Sequence, residues 1–344
     1  MRTPASRVAV VTTGGTIVSR IEPATGLAMP VMSGAALLEC IADRVDIEAI
    51  EVLDLMCVAS PHITPEHWLA LQRAVAELVA RSDIAGVVVT HGTSTLEETA
   101  WFLDVTLDTG KPVVLTGAQR NASEPDFDGP RNLLNAIRIC RCPEARGMGV
   151  LVALNDHINA AREVRKTHTL DVETFQSGEW GFVGAVAGER VIFHRRPMRP
   201  LYVPLTGEGL PEVDIVSMYA GASGRLVDAA VNTGAQGLVI QAVASGHVNG
   251  AMFDAIVRAR ARDVPVVIAT RIPNGGTRVG YGFAGSTRQL VDAGAVLSGD
   301  LSAWKARILL MLAIQAGLSG VEALRELFDT GIAARDDDLG KTPT

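Results

Sequence analysis

The chain of 344 residues has only four cysteines, Cys40, Cys57, Cys140 and Cys142. None forms a C-x-x-C pair, and a lone C-x-C spacing cannot supply the ligands of a tetrahedral zinc site. Reduced, partly buried thiols are expected. His62 and His67 lack the H-E-x-x-H arrangement, so no metal is expected. There is no long basic run and the formal charge is −7, which gives neither nucleic acid nor an anionic membrane an electrostatic handle. The short run Arg258 to Arg262 reads as a solvated helix face. The apolar stretch Val8 to Val11 breaks at Gly14 and Gly15, before it could form a signal-peptide core or cross a bilayer, and a cytoplasmic location is expected. Neither G-x-G-x-x-G nor G-x-x-x-x-G-K-[ST] follows it, so dinucleotide and nucleoside triphosphate cofactors are not indicated.

What is present is apolar material, 48% of the residues, enough for one large or two medium cores. Valine-rich runs recur at Val8 to Val11, Gly86 to Val89, Pro112 to Leu115 and Val150 to Leu154. Stretches with helical spacing lie at Pro65 to Arg81, Ser94 to Thr106 and Arg131 to Cys140. The alternation predicts an α/β protein whose larger N-terminal domain, residues 1–194, holds a doubly covered, mostly parallel sheet. Residues 195–212 carry four prolines and read as an interdomain linker. A smaller C-terminal α/β domain, 213–344, is expected to follow. Its strands are placed at Asp214 to Met218, Gly237 to Gln241 and Val264 to Ala269, and its helices at Gly250 to Arg262 and Ser302 to Ala316.

In open α/β sheets the carboxyl ends of strands collect ligands. Two segments after expected strands are rich in hydroxyls and glycine. The first is Thr12-Thr13-Gly14-Gly15-Thr16-Ile17, and the second is Thr90-His91-Gly92-Thr93-Ser94-Thr95. Helix capping accounts for Ser94 or Thr95 but not for the whole second cluster. A third segment, Arg165-Lys166-Thr167-His168-Thr169, offers an amine that could lie against hydroxyls and move protons. Alone it would be read as readily as a surface lysine.

Together, TGGTI, HGT-x-TLEETA and KTxT in this order resemble the bacterial-type asparaginase/glutaminase family. The likeness extends to TGAQR at Thr116 to Arg120, DGPRNLLNAI at Asp128 to Ile137 and KARILLMLAIQ at Lys305 to Gln315. It implies an amidohydrolase that releases ammonia from a small-molecule amide through a threonyl acyl-enzyme, with no cofactor. The matching catalytic residues are Thr16 as nucleophile and Thr93 with Lys166 as proton relay. Gly15, Ser60, Gly92 and Ser94 fall at substrate-binding positions. Asn249 matches the family asparagine that reaches a neighbour's site, and the resemblance implies a homodimer or homotetramer with sites at the dimer interface.

The sequence departs from the family in its substrate contacts. Ser94 stands where the family's HGTDT places an aspartate that holds the substrate's α-ammonium group, and Pro61 stands where a glutamine follows the serine. Losing a charge-assisted bond to a buried ammonium costs about 2 to 5 kcal/mol. The lid stretch Val18 to Gly34 has no tyrosine and GGTRVGYGFAGSTRQL has no glutamate, so the family's lid pair is missing as a pair. Three readings stay open: an asparaginase-like hydrolase, an amidase for a modified or α-amino-blocked amide, and a noncatalytic ligand-binding homologue.

Overall fold

A computed structural model describes residues 7–198 and 201–329. The chain divides into two compact units, Met1–Arg199 and Pro200–Thr344. Strands of the first unit are β1 (Arg7–Thr12), β2 (Ser19–Ile21), β3 (Ala28–Pro30), β4 (Ile50–Asp54), β5 (Ile84–Thr90), β6 (Val113–Thr116), β7 (Val150–Leu154), β8 (His157–Ala160), β9 (Arg165–Lys166), β10 (Phe175–Gln176), β11 (Gly184–Ala187) and β12 (Arg190–Phe193). Its helices are α1 (Gly34–Glu39), α2 (Pro65–Ala80), α3 (Leu96–Thr106) and α4 (Gly129–Arg141).

Among the described residues, eight of these strands form one sheet in the order β12-β11-β8-β7-β6-β5-β1-β4. From β4 to β7 all neighbours are parallel. Successive strand residues point to opposite faces, and Val87, Val88 and Val89 are all completely buried, so the sheet must be covered on both sides. On one face Val8, Val10, Val88 and Val114 share a core with Leu37 of α1 and Leu133 and Ile137 of α4. Helices α2 and α3 pack on β5 and β7 and join through Trp68 stacked on Phe102, ring centroids 5.4 Å apart.

The sheet's far edge turns antiparallel, which the valine runs do not announce. Strand β7 returns as β8 across Asn155 and Asp156, whose φ values of 48° and 63° match the primed turns that suit a two-residue hairpin. Strands β11 and β12 continue this edge. The helix expected from Ser94 starts at Leu96, which leaves His91 to Thr95 as a loop.

In the second unit, β13 (Val213–Ser217), β14 (Gly237–Ala242), β15 (Val266–Thr270) and β16 (Val296–Leu297) form a parallel sheet in that order. The helices are α5 (Arg225–Asn232), α6 (Gly250–Arg260), α7 (Thr287–Asp292), α8 (Ala303–Gln315) and α9 (Val321–Asp329). Leu238 and Ile240 face a core with Val227 of α5 and Ile256 of α6, whereas Gly237, on the alternate face, lies against Leu310 and Ile314 of α8. Helices therefore cover both faces here too. Among the described residues of the chain, no helix is long and apolar enough to cross a membrane.

Candidate active site

Three adjacent parallel strands of the first unit end in threonine at the same level, because Thr12 pairs with Thr90 and Thr90 with Thr116. The loops that leave them, beginning at Thr13, His91 and Gly117, therefore emerge side by side at the carboxyl edge of the sheet, where such folds bind ligands. Main-chain bonds stitch them together: Thr13 N–H donates to Thr90 O at 3.1 Å and His91 N–H to Thr116 O at 2.8 Å.

The first two loops touch backbone to backbone. A Cβ added at Gly15 would sit 2.4 Å from both Cα and N of Gly92, and Gly15 has φ +90°. One added at Gly92 would sit 2.6 Å from the Ser60 hydroxyl. Only glycine permits this approach and, at position 15, this dihedral. Thr16 and Thr93 follow these two glycines and so leave the same point of contact. Gly15→Ala is expected to destabilise the protein by about 2 to 4 kcal/mol, read as a lowered urea unfolding midpoint; a midpoint equal to wild type would refute the close approach.

Ser60 lies beneath the second loop, buried. Its hydroxyl accepts from Ser94 N–H at 3.2 Å and its carbonyl accepts from the Thr95 hydroxyl at 2.8 Å. Ser94 itself is exposed. His91 is fully buried, and desolvation pushes its pKa down to about 4, so the ring is neutral and carries one donor and one acceptor. Nδ1 lies 2.7 Å from Gly92 O and Nε2 lies 3.0 Å from the Thr99 hydroxyl, which also accepts from Trp68 Nε1 at 2.9 Å. One direction satisfies every group: Trp68 donates to Thr99, Thr99 to His91 Nε2, and His91 Nδ1–H to Gly92 O. The histidine thus fixes the loop and is not available as a base.

Lys166, on β9, reaches this loop. Its Nζ donates to the Thr93 hydroxyl at 2.7 Å and to Gln119 Oε1 at 3.0 Å. Its main-chain N–H donates to Glu97 Oε2 of α3 at 3.1 Å. The amine is half-buried; desolvation lowers its pKa, and the nearby Glu97 charge partly opposes that. A hydroxyl 2.7 Å from an amine whose proton affinity burial has lowered is a pair arranged to exchange a proton. Thr16 is partly buried, and its hydroxyl has no hydrogen-bond partner among the described residues.

Gln119 and Glu97 join the site without any mark of it in the sequence motifs taken singly. A signal for the first was legible: Thr116-Gly117 repeats, after the third strand, the pattern of polar residue and glycine that ends the other two. Asn249 lies in the second unit, where it caps α6. Its Oδ1 accepts from Met252 N–H at 2.9 Å and its Nδ2 donates to Ala222 O at 2.7 Å, so both side-chain groups are engaged within that unit. Among the described residues, no group of three or more histidine, cysteine or carboxylate side chains is placed to hold a metal ion.

The chain as a whole is similar to known families and proteins. Residues 7–199 match the family model described as Asparaginase, N-terminal, and residues 212–328 that of the Glutaminase/Asparaginase C-terminal domain. A protein named Probable L-asparaginase from Deinococcus radiodurans is 39% identical over 343 residues, which span 96% of this chain and 99% of that one. An L-asparaginase from Bacillus licheniformis is 34% identical over 320 residues, 92% of this chain and 98% of its own. Among solved structures, the probable cytoplasmic L-asparaginase from Campylobacter jejuni superposes with a TM-score of 0.84 at 33% identity, covering 94% of this chain and 99% of that one.

Proposed function

Because the chain belongs to the asparaginase/glutaminase family and is with it a hydrolase of carbon–nitrogen bonds other than peptide bonds, we propose that it cleaves a linear carboxamide through a threonyl acyl-enzyme centred on Thr16. The observation that carries this reading is the Lys166–Thr93 contact of 2.7 Å, in the loop that abuts the Gly15 turn. The Thr16 oxygen bonds to the amide carbon and the carbon–nitrogen bond breaks. The nitrogen leaves as ammonia with the proton the hydroxyl gave up. Water then cleaves the ester, one proton returning to Thr16 and the hydroxide forming the product acid. Thr93 and Lys166 carry the protons between these oxygens and the leaving nitrogen. Main-chain N–H groups of the two glycine turns stabilise the tetrahedral oxyanion, without metal or cofactor.

The substrate class follows from charge. Ser94 offers a neutral hydroxyl to any group lying over the second loop, so an amide whose α-amino group is blocked fits better than free asparagine. The same reading includes a cytoplasmic location and an assembly of two or four copies in which Asn249 lies near a neighbour's site. The test is ammonia release from L-asparagine, L-glutamine and their N-acylated forms, by wild type and Ser94→Asp. Wild type is expected to prefer the blocked amides, and the substitution to raise kcat/KM on free asparagine about tenfold or more, the range of one charge-assisted bond. No gain in the variant would remove the role given to Ser94, and no turnover of any amide would favour a ligand-binding homologue.

A further inference from the structure

Gln119 bridges the Lys166 amine to a surface loop, and its amide can stand only one way round. Lysine has donors and no acceptor, whereas a main-chain carbonyl only accepts. Gln119 Oε1 receives Lys166 Nζ at 3.0 Å, and its Nε2 donates to Asp171 O at 3.0 Å and to Thr169 O at 3.5 Å. A flipped amide would set an NH2 against the amine and an oxygen against carbonyls. The main chain below is pinned as well. Asp128 accepts from Gln119 N–H at 3.1 Å and Arg120 N–H at 3.0 Å, and Asn132 Nδ2 ties Asp128 to Gly117 O at 3.0 Å each. Position 119 is thus held from three sides with its carbonyl aimed at the amine.

Among the described residues, both oxygens that the Lys166 Nζ bonds are neutral. The charged groups around it bond elsewhere, although the Glu97 charge still favours the protonated amine and partly opposes the effect of burial. Glu97, from α3, binds the Lys166 main-chain N–H; Asp128, at the start of α4, binds the Gln119 loop. In the loop between β9 and β10, His168 Nδ1 accepts from Leu170 and Asp171 N–H, the Asp171 carboxylate accepts from Glu173 N–H, and Arg165 is the neighbour of Lys166 on β9.

We propose that Gln119 is a positioning residue for the relay: its carbonyl holds the Lys166 amine against Thr93, and its neutrality leaves that amine able to release its proton. This inference rests on the assignment of Thr93 and Lys166 to proton transfer. A carboxylate of the same length would hold the amine equally well but would favour its charged form, and an isosteric alkyl group would not hold it at all.

The experiment compares wild type, Gln119→Glu and Gln119→Leu by two readouts. The first is competitive trace-labelling of amines with acetic anhydride across a pH series, with Lys166 modification measured by mass spectrometry. The second is the pH profile of kcat and KM on the preferred amide. Gln119→Glu is expected to move the Lys166 labelling midpoint up by about 1 to 3 pH units. The acid limb of kcat moves with it, kcat at pH 7 falls about tenfold or more, and KM stays within about twofold. Gln119→Leu is expected to lower kcat at every pH with no upward shift of the midpoint. A labelling midpoint in Gln119→Glu equal to wild type would overturn the proposal, as would a rise in KM at unchanged kcat in both variants, the pattern of a loop tether alone. If wild type turned over no amide, the labelling midpoints would still decide whether position 119 sets the state of Lys166, and only the functional reading would fall.

Discussion

Replacing Thr16 with alanine is expected to lower kcat by about 10⁴-fold or more, the scale seen when a covalent nucleophile is removed, and to leave the unfolding free energy within about 0.5 kcal/mol of wild type. The two effects separate because of where this hydroxyl sits. Thr16 is partly buried and follows the Gly15 turn, and its hydroxyl has no hydrogen-bond partner among the described residues. The fold therefore gains little from it, while the proposed chemistry requires it. Neighbouring hydroxyls behave differently: Thr12 donates to Asp54 at 2.7 Å and Thr13 to Thr90 O at 2.9 Å, so alanine there should cost stability first. Ammonia release and urea unfolding on Thr16→Ala check both halves, and retention of even a tenth of wild-type turnover would remove Thr16 as nucleophile.

Lys166→Met carries the second large effect. Methionine keeps much of the stem's packing but removes the amine that donates to Thr93 and Gln119. Loss of a positioned acid–base group costs about 10²- to 10⁴-fold in kcat. The sign of the pH dependence also follows. Desolvation lowers the amine's pKa, so its charged form is the one the fold disfavours. Wild-type activity should rise with pH as the amine loses its proton, and this acid limb should be absent from the residual activity of the variant. For the same reason folding at neutral pH should not suffer beyond about 1 kcal/mol for the lost hydrogen bonds. A kcat profile in Lys166→Met that kept the wild-type acid limb would assign that limb to another group.

Much of this site is visible in the chain itself, and the parts that are not have physical reasons. Valine runs mark strands buried on both faces, and polar residues with glycine immediately after them mark the loops at the carboxyl edge; Thr16 and Thr93 both stand in such loops. Lys166 is harder to read, because β9 is a two-residue strand with no periodicity of its own. Gln119 has no titratable or nucleophilic group, so a search for reactive side chains passes over it although it binds the lysine directly. Glu97 sits in the first turn of a helix, where an acid is explained by the helix dipole alone. In the folded chain it is buried and holds the Lys166 main chain. The antiparallel edge escaped because β8, β11 and β12 are four-residue strands, too short to alternate convincingly. Ser60 shows a different limit: its position was legible, but its burial beneath Gly92 depends on a contact between loops distant in sequence.

The most direct test of the central claim is to quench wild-type enzyme in acid during turnover of its preferred amide and locate the acyl group by peptide mass spectrometry. The account predicts an ester on the segment Val8 to Arg20, with fragment ions placing it on Thr16 and no such ester in Thr16→Ala. An ester on Thr93, the hydroxyl that Lys166 actually touches, would contradict it and make Thr93 the nucleophile.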